Sequence, residues 1–202
     1  EDQYYEGDPV TVAGGLTTVE TTKNGVSGTW TFSGWTTEDA EIAEGTFIMP
    51  GKGVTLTGTW SFEPDTHSIT INYVDDGSGA LKAAYADTQN DGYEYSFDVS
   101  TDTTGDIPFI IVKDDTNYVF DHFADDTPLS GELTDDVVIT AVYLIDENKN
   151  GTPDAYEATV TYEVENGTWA EGGSEPKTED FTLRTFNAST NTWDETNPTL
   201  GI

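Results

Sequence analysis

Cysteine is absent from this chain of 202 residues, so no disulfide can staple its fold, and thiol chemistry says nothing about its compartment. Basic residues are almost as scarce. Seven Lys+Arg stand against 39 Asp+Glu, a net charge of −32, which leaves no basic face for nucleic acid or an anionic membrane. The acidity suits calcium binding, a repulsive solvated rod or a high-salt habitat, and solubility alone would also account for it. Only two histidines are present, His67 and His122. As the only two they leave no His-rich metal constellation and, with cysteine missing, no obvious triad, so both read as surface or turn residues. No run of about 18 apolar residues occurs and no signal-peptide pattern is visible. We expect an excised fragment whose parent's export signals lie outside it.

What the chain has in quantity is alternation. Val54, Leu56, Gly58, Trp60 and Phe62 share one parity with Thr55, Thr57, Thr59 and Ser61 on the other; Ile69, Ile71, Tyr73, then Tyr93, Tyr95, Phe97, Val99, and Val160, Tyr162, Val164 repeat the scheme. Period two marks half-buried strands. Val137 to Ile145 is nearly continuous in apolar content and predicts a central strand covered on both faces. Short helix is expected only at Thr37 to Ala43 and at the Asp154 to Ala158 turn. The expected fold class is therefore all-β, as tandem small β-sandwich or β-grasp-like modules with little helix. A weak internal repeat, Ser27-Gly-Thr-Trp-Thr-Phe32 and Thr57-Gly-Thr-Trp-Ser-Phe62, is echoed at Asn166-Gly-Thr-Trp169. Glycine ahead of a large aromatic fits a bend or bulge followed by a core-facing anchor.

The most specific motif is Asp146-Glu-Asn148-Lys-Asn150-Gly151-Thr152-Pro-Asp154-Ala-Tyr-Glu157. It places oxygen donors at positions 1, 3, 5, 9 and 12, the spacing of an EF-hand-type calcium loop, with Gly151 at the sharp turn. Asp146 is the expected first ligand, followed by the side-chain oxygens of Asn148 and Asn150, the Thr152 carbonyl, Asp154 directly or through water, and bidentate Glu157. Two Asn ligands in place of Asp lower the ligand charge, which points to weak, extracellular-type affinity on the order of 10⁻⁴ to 10⁻³ M. The competing reading is an Asx-rich turn without metal. Since the loop lies between two expected strands, the ion would stiffen a joint and not drive a helix-pair switch.

Three stretches resemble known families of Gram-positive surface proteins. Gly28-Thr-Trp-Thr-Phe-Ser-Gly-Trp35, Gly45-Thr-Phe-Ile-Met-Pro50 and Val54-Thr-Leu-Thr-Gly-Thr-Trp-Ser-Phe62 resemble the later part of SHIRT-like tandem repeats. Ile69-Thr-Ile-Asn-Tyr-Val-Asp75, with Leu129-Ser-Gly-Glu-Leu-Thr-Asp-Asp-Val-Val-Ile-Thr-Ala-Val-Tyr143, is similar to the opening and closing strands of a mucin-binding-protein (MucBP) repeat. The calcium loop followed by Ala158-Thr-Val-Thr-Tyr-Glu-Val-Glu-Asn-Gly-Thr-Trp169 is similar to a joint-plus-module arrangement of cell-wall-anchored proteins. The resemblance implies a SHIRT-like module over 1–65 lacking its first strand, a MucBP-like module over 66–145, a calcium joint over 146–157 and the start of a further module over 158–202. The function it implies is that of an extracellular adhesin or stalk, anchored to the cell wall through its parent, not an enzyme. Its expected partners are neighbouring modules and a host glycan or protein.

The remaining candidates are weaker. Asp75-Asp76, Asp114-Asp115, Asp125-Asp126 and Asp135-Asp136 offer carboxylate pairs for calcium or for glycosidase-like chemistry, but each is a doublet in an expected turn. Lys113 follows the apolar run Phe109-Ile-Ile-Val112, where a buried lysine beside an Asn could form an internal isopeptide bond. Trp30, Trp60, Tyr73, Tyr95 and Tyr143 read as core. Trp35 and Trp193 break the alternation and are the first aromatics to consider as exposed contacts. Exposed aromatics are also what the alternative function needs, a carbohydrate-binding or accessory β-domain of a secreted polysaccharide-active enzyme.

Overall fold

In a computed structural model, described here for residues 3–15, 17–100 and 105–200, the chain forms two compact units. Unit 1 comprises Glu1–His67 with two short returns, Gln89–Tyr93 and Glu132–Thr134; unit 2 comprises Ser68–Thr88, Glu94–Gly131 and Asp135–Ile202. The architecture is all-β. Among the described residues the sole helical element is a single 3₁₀ turn.

Unit 1 begins with β1 (Pro9–Thr11), β2 (Thr18–Lys23), β3 (Val26–Phe32), β4 (Thr46–Ile48) and β5 (Trp60–Pro64). β1 pairs with β4, and β3 lies between β2 and β5 in a three-stranded antiparallel sheet. The two copies of the Gly-Thr-Trp repeat are antiparallel partners, with Trp30 opposite Phe62 and Phe32 opposite Trp60. The glycine of each copy accommodates the phenylalanine of the other. A Cβ on Gly28 would lie 2.6 Å from the Phe62 ring and 2.4 Å from the Glu63 carbonyl oxygen, and one on Gly58 would lie 2.4 Å from the Phe32 ring. The sequence reading of these glycines as backbone features thus acquires a specific cause: mutual ring clearance.

The expected strand over Val54–Phe62 is shorter than its alternation suggests. Val54 and Leu56 keep their half-buried parity, but pairing there shrinks to one bridge, Thr36 with Thr57, before β5 starts at Trp60. The expected helix at Thr37 to Ala43 is replaced by bends. Side chains satisfy that backbone instead: Thr37 Oγ1 accepts the Asp39 amide at 3.2 Å, and the Asp39 carboxylate accepts Thr55 N at 3.1 Å and Lys52 Nζ at 2.6 Å. Short polar side chains compete with helix in this way.

His67 is neither free nor in a turn. It lies on β6 (Thr66–Asp75), with Nε2 3.2 Å from the carboxylate of buried Asp91. The same carboxylate accepts the Ser27 amide at 2.6 Å, and the Asp91 amide donates to Asp65 O at 2.8 Å. The Ser27 hydrogen bond, reinforced by His67, holds the Asp91 pKa below its ordinary 3.8. A depressed carboxylate pKa contributes stability above the unfolded value and loses it as pH falls through the folded one. Asp91→Asn is therefore expected to flatten the acid limb of a stability-against-pH curve below about pH 4, measured by thermal melts. An unaltered acid limb would show that this carboxylate does not couple to folding.

Unit 2 is built on a five-stranded sheet in the order β7-β6-β12-β10-β9, with β7 (Tyr85–Asn90), β9 (Ile110–Lys113), β10 (Thr116–Phe123) and β12 (Val137–Asp146). A small pair, β8 (Tyr93–Ser96) with β11 (Ser130–Leu133), accompanies it. β12 is central as its apolar run predicts, parallel to β6 and antiparallel to β10. Ile69, Ile71 and Tyr73 stand beside Val137, Ile139 and Ala141, and all of these except half-buried Val137 join Tyr143, Val119 and Phe120 in the core. Cover on both faces holds through the middle of β12 and lapses toward its ends, where Val138 and Ile145 are exposed. Asp136 clasps the start of the parallel pair, accepting Ser68 N at 2.7 Å and Ser68 Oγ at 3.0 Å. Tyr143 donates to Pro108 O at 2.8 Å and Tyr73 to Asp106 O at 2.5 Å. Burial pushes the Tyr73 phenol up to about 12 and the Tyr143 phenol higher still.

After the 3₁₀ turn Asp154–Tyr156, at the expected short helical turn, come β13 (Glu157–Tyr162) paired with β14 (Lys177–Thr182) and β15 (Arg184–Asn187) paired with β16 (Thr192–Glu195). The β15–β16 hairpin carries Phe186 and Trp193 into contact with Phe109 at ring separations of 4.6 and 6.1 Å. Trp193 Nε1 donates to Phe120 O at 3.0 Å, and its ring lies 5.2 Å from Tyr156. Trp193, expected as an exposed contact, is half-buried in this cluster, because the indole N–H finds a carbonyl partner there.

Candidate functional site

The Asp146–Glu157 loop starts on the last residue of β12 and ends on the first of β13. Asp146 is fully buried, and its carboxylate reaches forward along the chain to accept Asn150 N at 3.1 Å and Gly151 N at 2.9 Å. The Asn148 side-chain oxygen accepts Asn150 N at 3.0 Å, and the Asn150 oxygen accepts Thr152 N at 2.8 Å. This ladder of Asx turns winds the backbone around Asp146. Gly151 is left-handed at φ +88°, although a Cβ there would meet no atom within 4 Å, so conformation and not crowding selects glycine. Pro153 is buried ahead of the 3₁₀ turn, and Asp154 accepts Glu147 N at 3.2 Å.

Glu157 closes the loop across its mouth. Its carboxylate faces the side-chain amides of Asn148 at 2.6 Å and Asn150 at 2.5 Å. Asn148, Asn150 and Glu157 are thus brought together, while the Asp146 and Asp154 carboxylates are engaged with backbone amides. Among the described residues no three His, Asp or Glu side chains gather as a metal cluster. The convergent donors here are a carboxylate and two amides whose nitrogens face Glu157, so a cation requires the amide oxygens to turn inward. Lys149 ties the loop to the β9–β10 turn through Asp115 at 2.9 Å, and this hydrogen bond lowers the Asp115 pKa.

Several of the other sequence candidates have local structural roles. Asp75 accepts Gly79 N at 2.7 Å, Asp135 accepts Asp136 N at 2.8 Å, and Lys113 donates to Ala80 O at 2.8 Å. His122 is exposed on β10 beside a bulge, where the register shifts between Phe120 and His122. The extra residue, Asp121, accepts the Tyr156 hydroxyl at 2.5 Å and lies 2.7 Å from His122 Nδ1. Burial first, then Asp121, raises the Tyr156 phenol to about 12. Sequence parity alone carries no sign of this bulge, since one inserted residue is invisible until its partner strand is known.

Near β3 and β5 the sequence expectation for Trp60 is corrected. It is 44% exposed and not core, at the start of edge strand β5, and with Trp35, 39% exposed, it flanks Phe32. Residues 10–63 match the SHIRT domain family. The match takes in β2, β3, β4, both glycine–aromatic repeats and the Trp35–Trp60 pair, a little over a quarter of the chain. A solved structure, described as Streptococcal High Identity Repeats in Tandem (SHIRT) domains 3-4 from cell surface protein, is similar at 15% identity over 72% of this chain and 82% of that one. Its TM-score is 0.42, too low to establish a common fold. No protein of curated function matches the chain.

Proposed function

We propose that this chain is a segment of an extracellular surface protein, a non-catalytic stalk or adhesin piece whose SHIRT-matching part, residues 10–63, is one module of a tandem array. That match is the observation that carries the reading. The excess of 32 negative charges supports it physically, because like-charged modules repel and keep an array extended and solvated. The division into 1–65, a MucBP-like 66–145, a joint at 146–157 and a further module from 158 belongs to this proposal, as does anchoring to the cell wall through the parent.

Calcium at Asp146, Asn148, Asn150, Thr152, Asp154 and Glu157 is the second part of the proposal. The pre-wound Asx ladder, the left-handed Gly151 and the position of Glu157 opposite both asparagines support it. A bound ion would neutralise carboxylates that otherwise repel, and would brace β12 against β13 at a point where the Trp193 cluster already ties the later segment down. At millimolar calcium and a dissociation constant near 10⁻⁴ M, linkage gives about 1.4 kcal/mol of added stability. Thermal melts with calcium and with EGTA should therefore differ by several degrees. In Glu157→Gln the calcium-dependent difference should vanish while the EGTA melt stays close to that of the parent. Identical melts with and without calcium, together with no heat of binding in calorimetry, would remove the metal and leave the stalk reading standing on its own.

A further inference from the structure

The aromatic slot of unit 1 offers a site that the stalk reading does not use. Phe32 forms its floor, with Trp35 edge-on at 5.1 Å and Trp60 tilted at 5.1 Å on either side. Ala13, Gly14, Gly15, Val19 and Gly58 complete a cavity of about 370 Å³, within the range of small-ligand sites. Two adjacent indoles left 39% and 44% exposed are an unusual use of large apolar surface, of the kind that marks a binding face. The slot is also pre-set. Trp35 Nε1 donates to Ala13 O at 3.1 Å, fixing that ring before any ligand arrives, and Gly58 lets Phe32 sit deep enough to act as a floor.

Two features identify the occupant. Among the described residues no charged side chain lines the slot, although the chain carries 32 excess negative charges. An anionic ligand would be repelled by the surrounding field, whereas a cation would be drawn by that field and by the ring faces but would leave the polar rim unused. The rim is polar all the same: the backbone amides and carbonyls of Gly14 and Gly15 make no hydrogen bond to a described residue. Aromatic faces beside solvent-facing backbone donors and acceptors match a ligand with apolar C–H faces and a hydroxylated edge. An aliphatic side chain would cover the indoles but make no use of those exposed backbone groups. We propose that the Trp35–Phe32–Trp60 slot binds a ring of an uncharged saccharide, stacked on the indoles with its hydroxyls turned to the Gly14–Gly15 backbone.

Saturation-transfer NMR tests this with the methyl glycosides of galactose, glucose and N-acetylglucosamine as neutral probes. N-acetylneuraminic acid and choline serve as the anionic and cationic charged probes, and N-acetyl-leucine amide as the apolar side-chain probe. Saturation is expected at the ring C–H protons of at least one neutral glycoside, with weak affinity. Trp35→Ala and Trp60→Ala should each lower that affinity about tenfold, Trp60→Phe should retain part of it, and Trp169→Ala should leave it unchanged. Trp60 lies on an edge strand, so its replacement spares the fold and carries the test if Trp35→Ala unfolds. The same affinity is expected in EGTA, which separates this site from the calcium loop. No transfer to any neutral glycoside, transfer indifferent to both tryptophans, or a preference for either charged probe or the leucine probe would overturn the proposal. So would a self-associated state, seen by sedimentation, that dissolves on Trp60→Ala, because the slot would then be covered by a second copy.

Discussion

Trp193→Ala is expected to destabilise unit 2 by about 3 kcal/mol, toward the lower end for loss of a large aromatic because the ring is only half-buried. The effect is large because of what the ring holds in place. The β15–β16 pair is a two-stranded hairpin, marginal by itself in water, and its described attachment runs through Phe186 and Trp193 onto Phe109, Phe120 and Tyr156. Truncation removes ring contacts and leaves Phe120 O without the indole donor. Trp193→Phe keeps most of the packing and should cost nearer 1 kcal/mol, the worth of the hydrogen bond. Urea unfolding followed by circular dichroism gives both values, and hydrogen exchange should show the 184–195 amides losing protection first. Equal costs for the two variants would mean that the hydrogen bond, and not the aromatic packing, carries the attachment.

Gly28→Ala is expected to cost about 2–3 kcal/mol, near the upper end for overpacking. Its Cβ would stand 2.4 Å from Glu63 O and 2.9 Å from Pro64 Cα, backbone atoms that can retreat only by parting β3 from β5. Gly58→Ala presses mainly on the Phe32 ring and also on Gly34 O at 2.9 Å, so it should cost somewhat less. Gly14→Ala serves as the control. It has open space and no left-handed backbone, and its melting temperature should match the parent's. A Gly28→Ala protein that melts with the parent would show that the β3–β5 pairing is loose enough to absorb a methyl group.

Period-two patterning made the all-β class legible, together with the central place of β12 and the buried row Ile69, Ile71, Tyr73. These strands bury one face or nearly both, so apolar spacing reports the core directly. The same signal misled at Trp60. Parity assigns a face to a residue, but burial of that face depends on a neighbouring layer that sequence does not show. Trp193 misled in the opposite sense, lying in a short hairpin whose cover comes from Phe109 and Phe120, more than seventy residues earlier. At Thr37–Ala43, side-chain hydrogen bonds to Asp39 replaced the expected helix, through a partner at Thr55 that local propensity cannot see. For the Asp146–Glu157 loop, the turn chemistry was legible residue by residue. The direction in which the Asn148 and Asn150 amides point was not, since either end of an amide satisfies the same spacing. The Asp91 clasp was hidden altogether, because it joins Ser27, Asp65 and His67 from separate strands and loops.

The parallel pairing of β6 with β12 bears on the rate at which this protein folds. Ile69 must find Val137 across nearly seventy intervening residues, and neither strand can satisfy the backbone groups on its facing edge before that loop closes, although β7 and β10 can pair with their other edges. Non-local pairing of this kind slows folding, because the entropy of closure is lost before the contacts that compensate it can form. The β2–β3 hairpin, turning at Asn24 and Gly25, faces no such delay. Unit 1's hairpin should therefore be protected early in a refolding experiment, while β6 of unit 2 waits, with one edge unpaired, for a partner that lies much later in the chain.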